Sequence, residues 1–217
     1  MDKKERALFI EAKLNELFPR PKAPLNHSNA FTLLIAVLLS AQTTDKRVNV
    51  VTKELFKKAK TAKDMYKLGE QNVYQYINTC GLAPKKAKAI IETSKIIEEK
   101  HGGKVPNELA LLEELPGVGH KTASVVVSEY FGKPAFPVDT HIHRLAQRWG
   151  LTNGKNVVQT EKDLKRVFPM KHWNKLHLQI IFYGREYCKA RECYGITCKI
   201  CTSCYPHRKK PIRTKKA

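Results

Sequence analysis

Leu115-Pro116-Gly117-Val118-Gly119-His120-Lys121-Thr122 places two glycines within three residues, immediately before an apolar run. Glycine tolerates backbone angles that other residues avoid, so this stretch reads as a tight turn whose exposed amides can grip a phosphate. The flanks decide its context. Leu109, Leu111, Leu112 and Leu115 precede the turn at helical spacing, and Thr122-Ala123-Ser124-Val125-Val126-Val127 resumes an apolar segment after it. The pattern predicts a helix, a hairpin and a second helix. Val125 to Val127 and Tyr130-Phe131 have strand propensity, but a lone strand has no neighbour to pair with, so helix is expected here too. Unpaired amides and the positive dipole end of the second helix would attract the regularly spaced anions of a nucleic-acid backbone. Taken alone, Pro116-Gly117 reads more readily as a plain turn between packed helices, so the rest of the chain must choose.

Composition agrees with a polyanionic partner. Forty Lys and Arg against twenty Asp and Glu leave a formal charge of +20 over 217 residues, which points first to nucleic acid. Basic density is highest at Lys57 to Lys63, at Lys85 to Lys88, and in the tail His207 to Lys216, which holds no acid. The longest apolar run, Phe31 to Ala41, is interrupted only by Thr32 and Ser40 and is too short to cross a bilayer, so it reads as a buried core helix. Met1-Asp2-Lys3-Lys4-Glu5-Arg6 leads into an amphipathic segment rather than a signal peptide, and a cytosolic or nuclear location is expected.

Helical segments of eight to fifteen residues, separated by Gly, Pro and Asn, recur along the chain and predict an all-α fold. Pro19, Pro21 and Pro24 mark one joint, and Gly132, Pro134 and Pro137 a second. Two helical domains are therefore expected: 23–133 containing the hairpin, and 1–22 together with 134–217.

Five of the six cysteines, Cys188, Cys193, Cys198, Cys201 and Cys204, crowd near the C-terminus, with Cys80 remote. In a reducing compartment such crowding favours metal over disulfides. The unbroken C-x2-C-x2-C run suits an iron-sulfur cubane better than the paired spacing of zinc sites, with zinc the alternative. Cys80 reads as a small buried hydrophobe. A third element, Val138-Asp139-Thr140-His141-Ile142-His143-Arg144, sets a carboxylate at a helix start. Asp139 alone would be an N-cap. Together with a backbone-gripping hairpin and the amine of Lys121, it supplies parts for chemistry at a sugar C1′: attack by the amine, departure of the base, and β-elimination through a Schiff base.

The L-P-G-V-G-x-K-T-A stretch, the V-D-T-H segment, Leu38-Leu39-Ser40-Ala41-Gln42-Thr43-Thr44-Asp45 and the C-terminal cysteines, in this order, resemble bacterial endonuclease III over nearly the whole chain. The resemblance implies a two-domain helical DNA glycosylase and AP lyase, with a helix-hairpin-helix and a C-terminal [4Fe-4S] loop. Its partner would be damaged duplex DNA, held between the domains, and its substrates oxidised or ring-damaged pyrimidines. A cytoplasmic, nucleoid-associated monomer is expected. By the match, Lys121 is the nucleophile and Asp139 the activating carboxylate. Gln42 fills the gap left by a flipped nucleotide, Leu82 wedges the opposite strand, and Gly117, Val118, Gly119 and Thr122 line the backbone grip. His141 and Arg144 read as backbone contacts or as an exposed pair. Residue by residue, Leu82 also reads as a core leucine and Gln42 as a helix cap.

The cysteine pattern departs from the family's C-x6-C-x2-C-x5-C. Cys188, Cys198 and Cys204 are in register, but the remaining position falls on Gly195, so Cys201 or Cys193 must supply the fourth thiolate. The compact C-x2-C pair favours Cys201, giving Cys188, Cys198, Cys201 and Cys204. An adenine-mismatch glycosylase is the alternative enzyme, but it lacks the lysine nucleophile and uses a glutamate in the early apolar helix, where Phe31 to Ala41 has no carboxylate. A DNA-binding or redox-sensing iron-sulfur protein without catalysis, and a zinc-stabilised RNA-binding module, are the readings from other classes.

Overall fold

The computed structural model describes all residues from Met1 to Ala217, and it contains helices and no strand. In chain order these are α1 (Lys3–Leu17), α2 (Ala30–Ser40), α3 (Asp45–Lys58), α4 (Ala62–Leu68), α5 (Glu70–Ile77), α6 (Ala83–His101), α7 (Leu109–Glu113), α8 (His120–Glu129), α9 (Thr140–Arg148), α10 (Val157–Val167), α11 (Trp173–Glu186) and α12 (Lys199–Cys204). Local chemistry explains where many begin. Asp2 and Glu5 form a reciprocal capping box on α1, as do Asn29 and Thr32 on α2. Thr44, Thr61, Asp139 and Asn156 each accept an amide hydrogen bond at the start of α3, α4, α9 and α10. Val125 to Val127 lie within α8, as the absence of a pairing strand demands. The short α12 follows no clear periodicity in the sequence, because its buried positions are a single isoleucine, Ile200, and two cysteines, Cys201 and Cys204.

The chain divides into two compact units, Ala23–Lys133 and Met1–Lys22 with Pro134–Ala217. The first is organised by α2, in which every residue from Phe31 to Leu39 is buried. Around it pack Leu55 of α3, Met65 of α4, Ile77 of α5, Ile90 of α6 and Val126 of α8. Each fully buried Leu or Ile contributes about 1.5–3 kcal/mol. The β-branched Ile35 and Val37 cost only a few tenths of that in helix propensity, so burial wins.

The second unit is built on Ile10 and Leu14 of α1, Ile142 and Leu145 of α9, Leu164 of α10, and Leu176 and Ile180 of α11, with the cysteine-rich segment sealed against them. Trp149 and Tyr183, both buried, meet at 5.9 Å between ring centroids. The basic tail is docked rather than frayed. Gln147 exchanges two hydrogen bonds with the Lys215 backbone, and Ile212 N–H donates to the Tyr194 carbonyl at 2.9 Å. No helix is long and apolar enough to cross a membrane.

At the end of α8, burial pushes the carboxyl of Glu129 up from 4.5 to about 7. Between those values the folded chain holds a proton that the unfolded chain has released, so this residue's contribution to stability falls as pH rises through the window. The stability of Glu129→Gln relative to the parent is therefore expected to increase between pH 5 and about pH 8, measured by urea unfolding across that range. A difference that stays flat with pH would refute the assignment.

Candidate functional site

The hairpin takes the shape its residues require. Val118 N–H donates to the Leu115 carbonyl at 3.0 Å, closing a turn with Pro116 and Gly117 at its centre. Gly117 sits at φ +75, which the third position of such a turn demands and which L side chains rarely adopt. A Cβ there would stand 3.0 Å from Ala89 Cβ and 3.3 Å from Leu38 Cδ1, so the missing side chain also lets the turn lie flat on α6 and α2. Thr93 Oγ1 donates to the Pro116 carbonyl at 2.9 Å, and His120 Nδ1 meets Glu113 Oε1 at 2.6 Å, tying α8 back to α7.

Helix α8 starts from Gly119 with no side-chain cap. Its first amides thus lie at the positive end of the dipole without a capping side chain at Gly119, an arrangement that favours an anion. Gly119, His120 and Lys121 are exposed, Thr122 is half-buried, and Val118 is buried as the hairpin's anchor in the core. Lys121 stands on the first turn of α8.

Two further expected residues meet in the same unit. Gln42 follows the C-cap of α2 at φ +53 and Leu82 precedes α6 at φ +60, both left-handed without being glycine. Such positions cost about 1–2 kcal/mol each. Their loops touch, since a Cβ on Gly81 would fall 2.7 Å from the Gln42 carbonyl oxygen. Leu82 is 49% exposed, which removes its reading as a core leucine, and Gln42 is exposed as well. Strained, exposed residues of this kind gather at ligand-contacting sites.

In the other unit, Asp139 caps α9 through Oδ1, which accepts from Ile142 N–H at 2.8 Å. It is half-buried. His141 and Arg144 are neither an exposed pair nor a free cationic surface. Arg144 Nη2 donates to the carbonyls of Gly184 and Cys188, each at 3.1 Å, and lies 3.2 Å from His141 Nδ1. Burial lowers the pKa of His141.

The cysteines assemble differently from expectation. The sulfurs of Cys188, Cys193, Cys198 and Cys201, all buried, lie within 4.8 Å of one another and could hold a metal. Cys193, and not Cys204, completes this close quartet. The reason is geometric: Tyr194 and Gly195 at φ +46 and +80 fold the loop back, bringing Cys193 towards Cys198, while Cys204 ends α12 two turns beyond Cys198. Mutual hydrogen bonding in the crowded quartet drives the thiols of Cys188 and Cys201 up and that of Cys193 down. A bound cation would let all four ionise. Cys204 stands outside this set, its thiol pushed up to about 11 by burial.

Arg148 escaped sequence reasoning altogether. It is 1% exposed and its guanidinium donates to the backbone carbonyls of Cys188, Lys189 and Ala190 and, at 3.2 Å, to Cys188 Sγ. Cys198 N–H adds a second N–H-to-sulfur contact, to Cys193 Sγ at 3.4 Å. The only available signal was its i, i+4 spacing from Arg144 on α9.

Comparison with known proteins places this geometry in context. The profile of the HhH-GPD superfamily base excision DNA repair proteins matches residues 35–170. Endonuclease III of Bacillus subtilis (strain 168) is 43% identical over 203 residues, 93% of either chain. Endonuclease III of Escherichia coli (strain K12) is 47% identical over 189 residues, 87% of this chain and 90% of the other. Among solved structures, a trapped endonuclease III–DNA covalent intermediate in an estranged-adenine complex superposes with a TM-score of 0.87 at 39% identity. It covers 92% of this chain and 94% of its own. A thermostable thymine-DNA glycosylase shares the fold, with a TM-score of 0.81 at 21% identity over 90% of this chain and 94% of its own.

The quartet makes a direct test. Cys193→Ala is expected to lower the metal content of the purified protein and Cys204→Ala to leave it intact, by elemental analysis. The opposite pattern would restore Cys204 to the ligand set.

Proposed function

The chain belongs to the HhH-GPD superfamily of base excision DNA repair proteins, in its endonuclease III branch, and on that premise we propose how its residues divide the work. The protein is a DNA glycosylase and AP lyase acting on damaged duplex DNA. The observation that carries the assignment of roles is the first turn of α8, which has no side-chain cap at Gly119 and bears exposed Lys121 at the positive end of the helix dipole.

Gly117, Val118, Gly119 and Thr122 form the backbone grip, which holds a strand without reading its sequence. Gln42 and Leu82 replace stacking lost when a nucleotide is turned out of the helix. The neutral amine of Lys121 attacks C1′ of the flipped nucleotide. The C1′–N bond breaks, and the base departs with its electron pair and takes up a proton. Asp139 accepts the proton released by the attacking nitrogen and stabilises positive charge at C1′. Loss of the ring oxygen's bond to C1′ then gives the Schiff base. Removal of a C2′ proton expels the 3′ phosphate, and the strand is cut on that side. Oxidised or ring-damaged pyrimidines are the proposed lesions, as the family resemblance implies.

A thiol-only, buried donor set fits a [4Fe-4S] cluster held by Cys188, Cys193, Cys198 and Cys201. When bound, such a cluster would supply folding energy to the C-terminal loop. Zinc is the second reading, because Cys188 and Cys201 sulfurs 3.9 Å apart match the spacing around one tetrahedral ion with bonds of about 2.3 Å. Iron and acid-labile sulfide with a visible absorbance band support the cluster. Stoichiometric zinc without colour supports the alternative.

Borohydride trapping on a duplex with one oxidised pyrimidine tests the chemistry. The parent protein is expected to form a covalent adduct and Lys121→Gln none. Asp139→Asn should fold normally, since Asn caps a helix as well as Asp, yet release base about 100-fold more slowly. Adduct formation by Lys121→Gln would assign the amine elsewhere.

A further inference from the structure

Lys86, one turn into α6 from Leu82, is only 6% exposed, a rare place for an ammonium. Its Nζ donates to the Leu39 carbonyl at 2.8 Å, to the Ala41 carbonyl at 2.5 Å and to Thr43 Oγ1 at 3.1 Å. These partners occupy all three donors of the group. The two carbonyls belong to the C-terminal end of α2, where helix geometry leaves acceptors unpaired and the dipole favours a cation. Thr43 Oγ1 also accepts from Gly81 N–H at 3.1 Å. One buried cation and one hydroxyl thus close the loop carrying Gln42 onto the loop carrying Leu82.

The arrangement is directed at these two residues. Gln42 lies between Ala41 and Thr43, both held by the Lys86 ammonium, and Leu82 lies between Gly81 and the helix that carries Lys86. Both would lose their left-handed backbone if the loops relaxed, since nothing local favours it in Gln or Leu. Desolvation lowers the pKa of Lys86, but three oxygens at hydrogen-bond distance favour its charged form.

We propose that Lys86 is a positioning residue for lesion recognition, fixing Gln42 and Leu82 as one preformed two-pronged wedge that enters the duplex as a unit. This rests on the reading above that both side chains enter DNA. A wedge ordered beforehand loses no loop entropy when it displaces a base. Arginine is no substitute, because its planar fork cannot point at three oxygens gathered around a single nitrogen.

The test uses the full-length protein and two substitutions. Lys86→Met keeps the stem and removes the donors. Gly81→Ala keeps the cation and forces the loops apart at the 2.7 Å contact. Unstacking is read from 2-aminopurine fluorescence beside the lesion, and recognition from the affinity ratio between lesion and undamaged duplex. Borohydride trapping on an abasic site in single-stranded DNA, where no pair must open, reports the amine alone. Both variants are expected to lose the fluorescence change and at least about tenfold in the affinity ratio, as the loss of a buried polar partner predicts. Single-strand trapping should persist at the parent level. Should one variant fail to fold by circular dichroism, the other decides. Folded variants that flip and discriminate as the parent does would overturn the proposal, as would a fall in single-strand trapping in step with duplex activity. If the parent itself traps on neither substrate, the lyase reading fails instead, and the fluorescence and binding measurements still judge Lys86.

Discussion

The burial of α2 is the constraint on which the rest of the hairpin-bearing unit depends. A helix apolar on every side can release its polar backbone only at its ends, and the last carbonyls of α2 have no partner within the helix. Donors must reach them there, and the ammonium of Lys86 does so from α6. The flank of α2 sets a second limit. Leu38 and Ala89 leave no room for a Cβ at Gly117, so the hairpin turn is seated directly on the core. The residues proposed to grip DNA and those proposed to probe it are thus registered to the same buried helix.

Positive charge plays two separate parts. The excess of +20 suits a polyanion, yet several of the cations turn inward, Lys86 and Arg148 buried and Arg144 and Arg208 partly so. Arg144 and Arg148 from α9 brace the Cys188 backbone, Arg208 donates to the carbonyls of Arg148 and Gly195, and Lys86 closes the wedge loops. Each is surrounded by carbonyl oxygens, which satisfy a buried cation without a counter-ion. In the cysteine loop this matters doubly, because amide and guanidinium donors to sulfur favour the thiolate form that a metal requires. The tail is fastened to the same loop through Ile212 and Tyr194, so a segment with the composition of a loose end becomes part of the scaffold.

Much of the fold was legible because it is written in local signals. Capping residues Asp2, Asn29, Thr44, Thr61 and Asp139 stand at the helix starts, and proline clusters stand between them. Gly117 announced a left-handed turn, and the apolar run Phe31 to Ala41 announced a buried helix. Other residues were opaque for a reason that can be named. Cys193 and Cys204 are alike in type and similar in spacing, and the choice between them turns on backbone reversals at Tyr194 and Gly195, of which Tyr194 carries no local signal for positive φ. Arg148 and Lys86 look like any surface cation in the sequence, because burial is a property of the neighbours and not of the residue.

The sequence by itself determined an all-helical chain with a glycine hairpin before a lysine, an acid at a later helix start and a thiol-rich C-terminus. Periodicity, caps and turn chemistry act over a few residues and need nothing from afar. Only the tertiary structure decided which thiols converge and which cations are buried. It also decided that Gln42 and Leu82 stand side by side. Those outcomes rest on contacts between residues distant in the chain, such as Lys86 with Leu39 and Arg148 with Cys188, where packing selects among partners that local chemistry leaves equal.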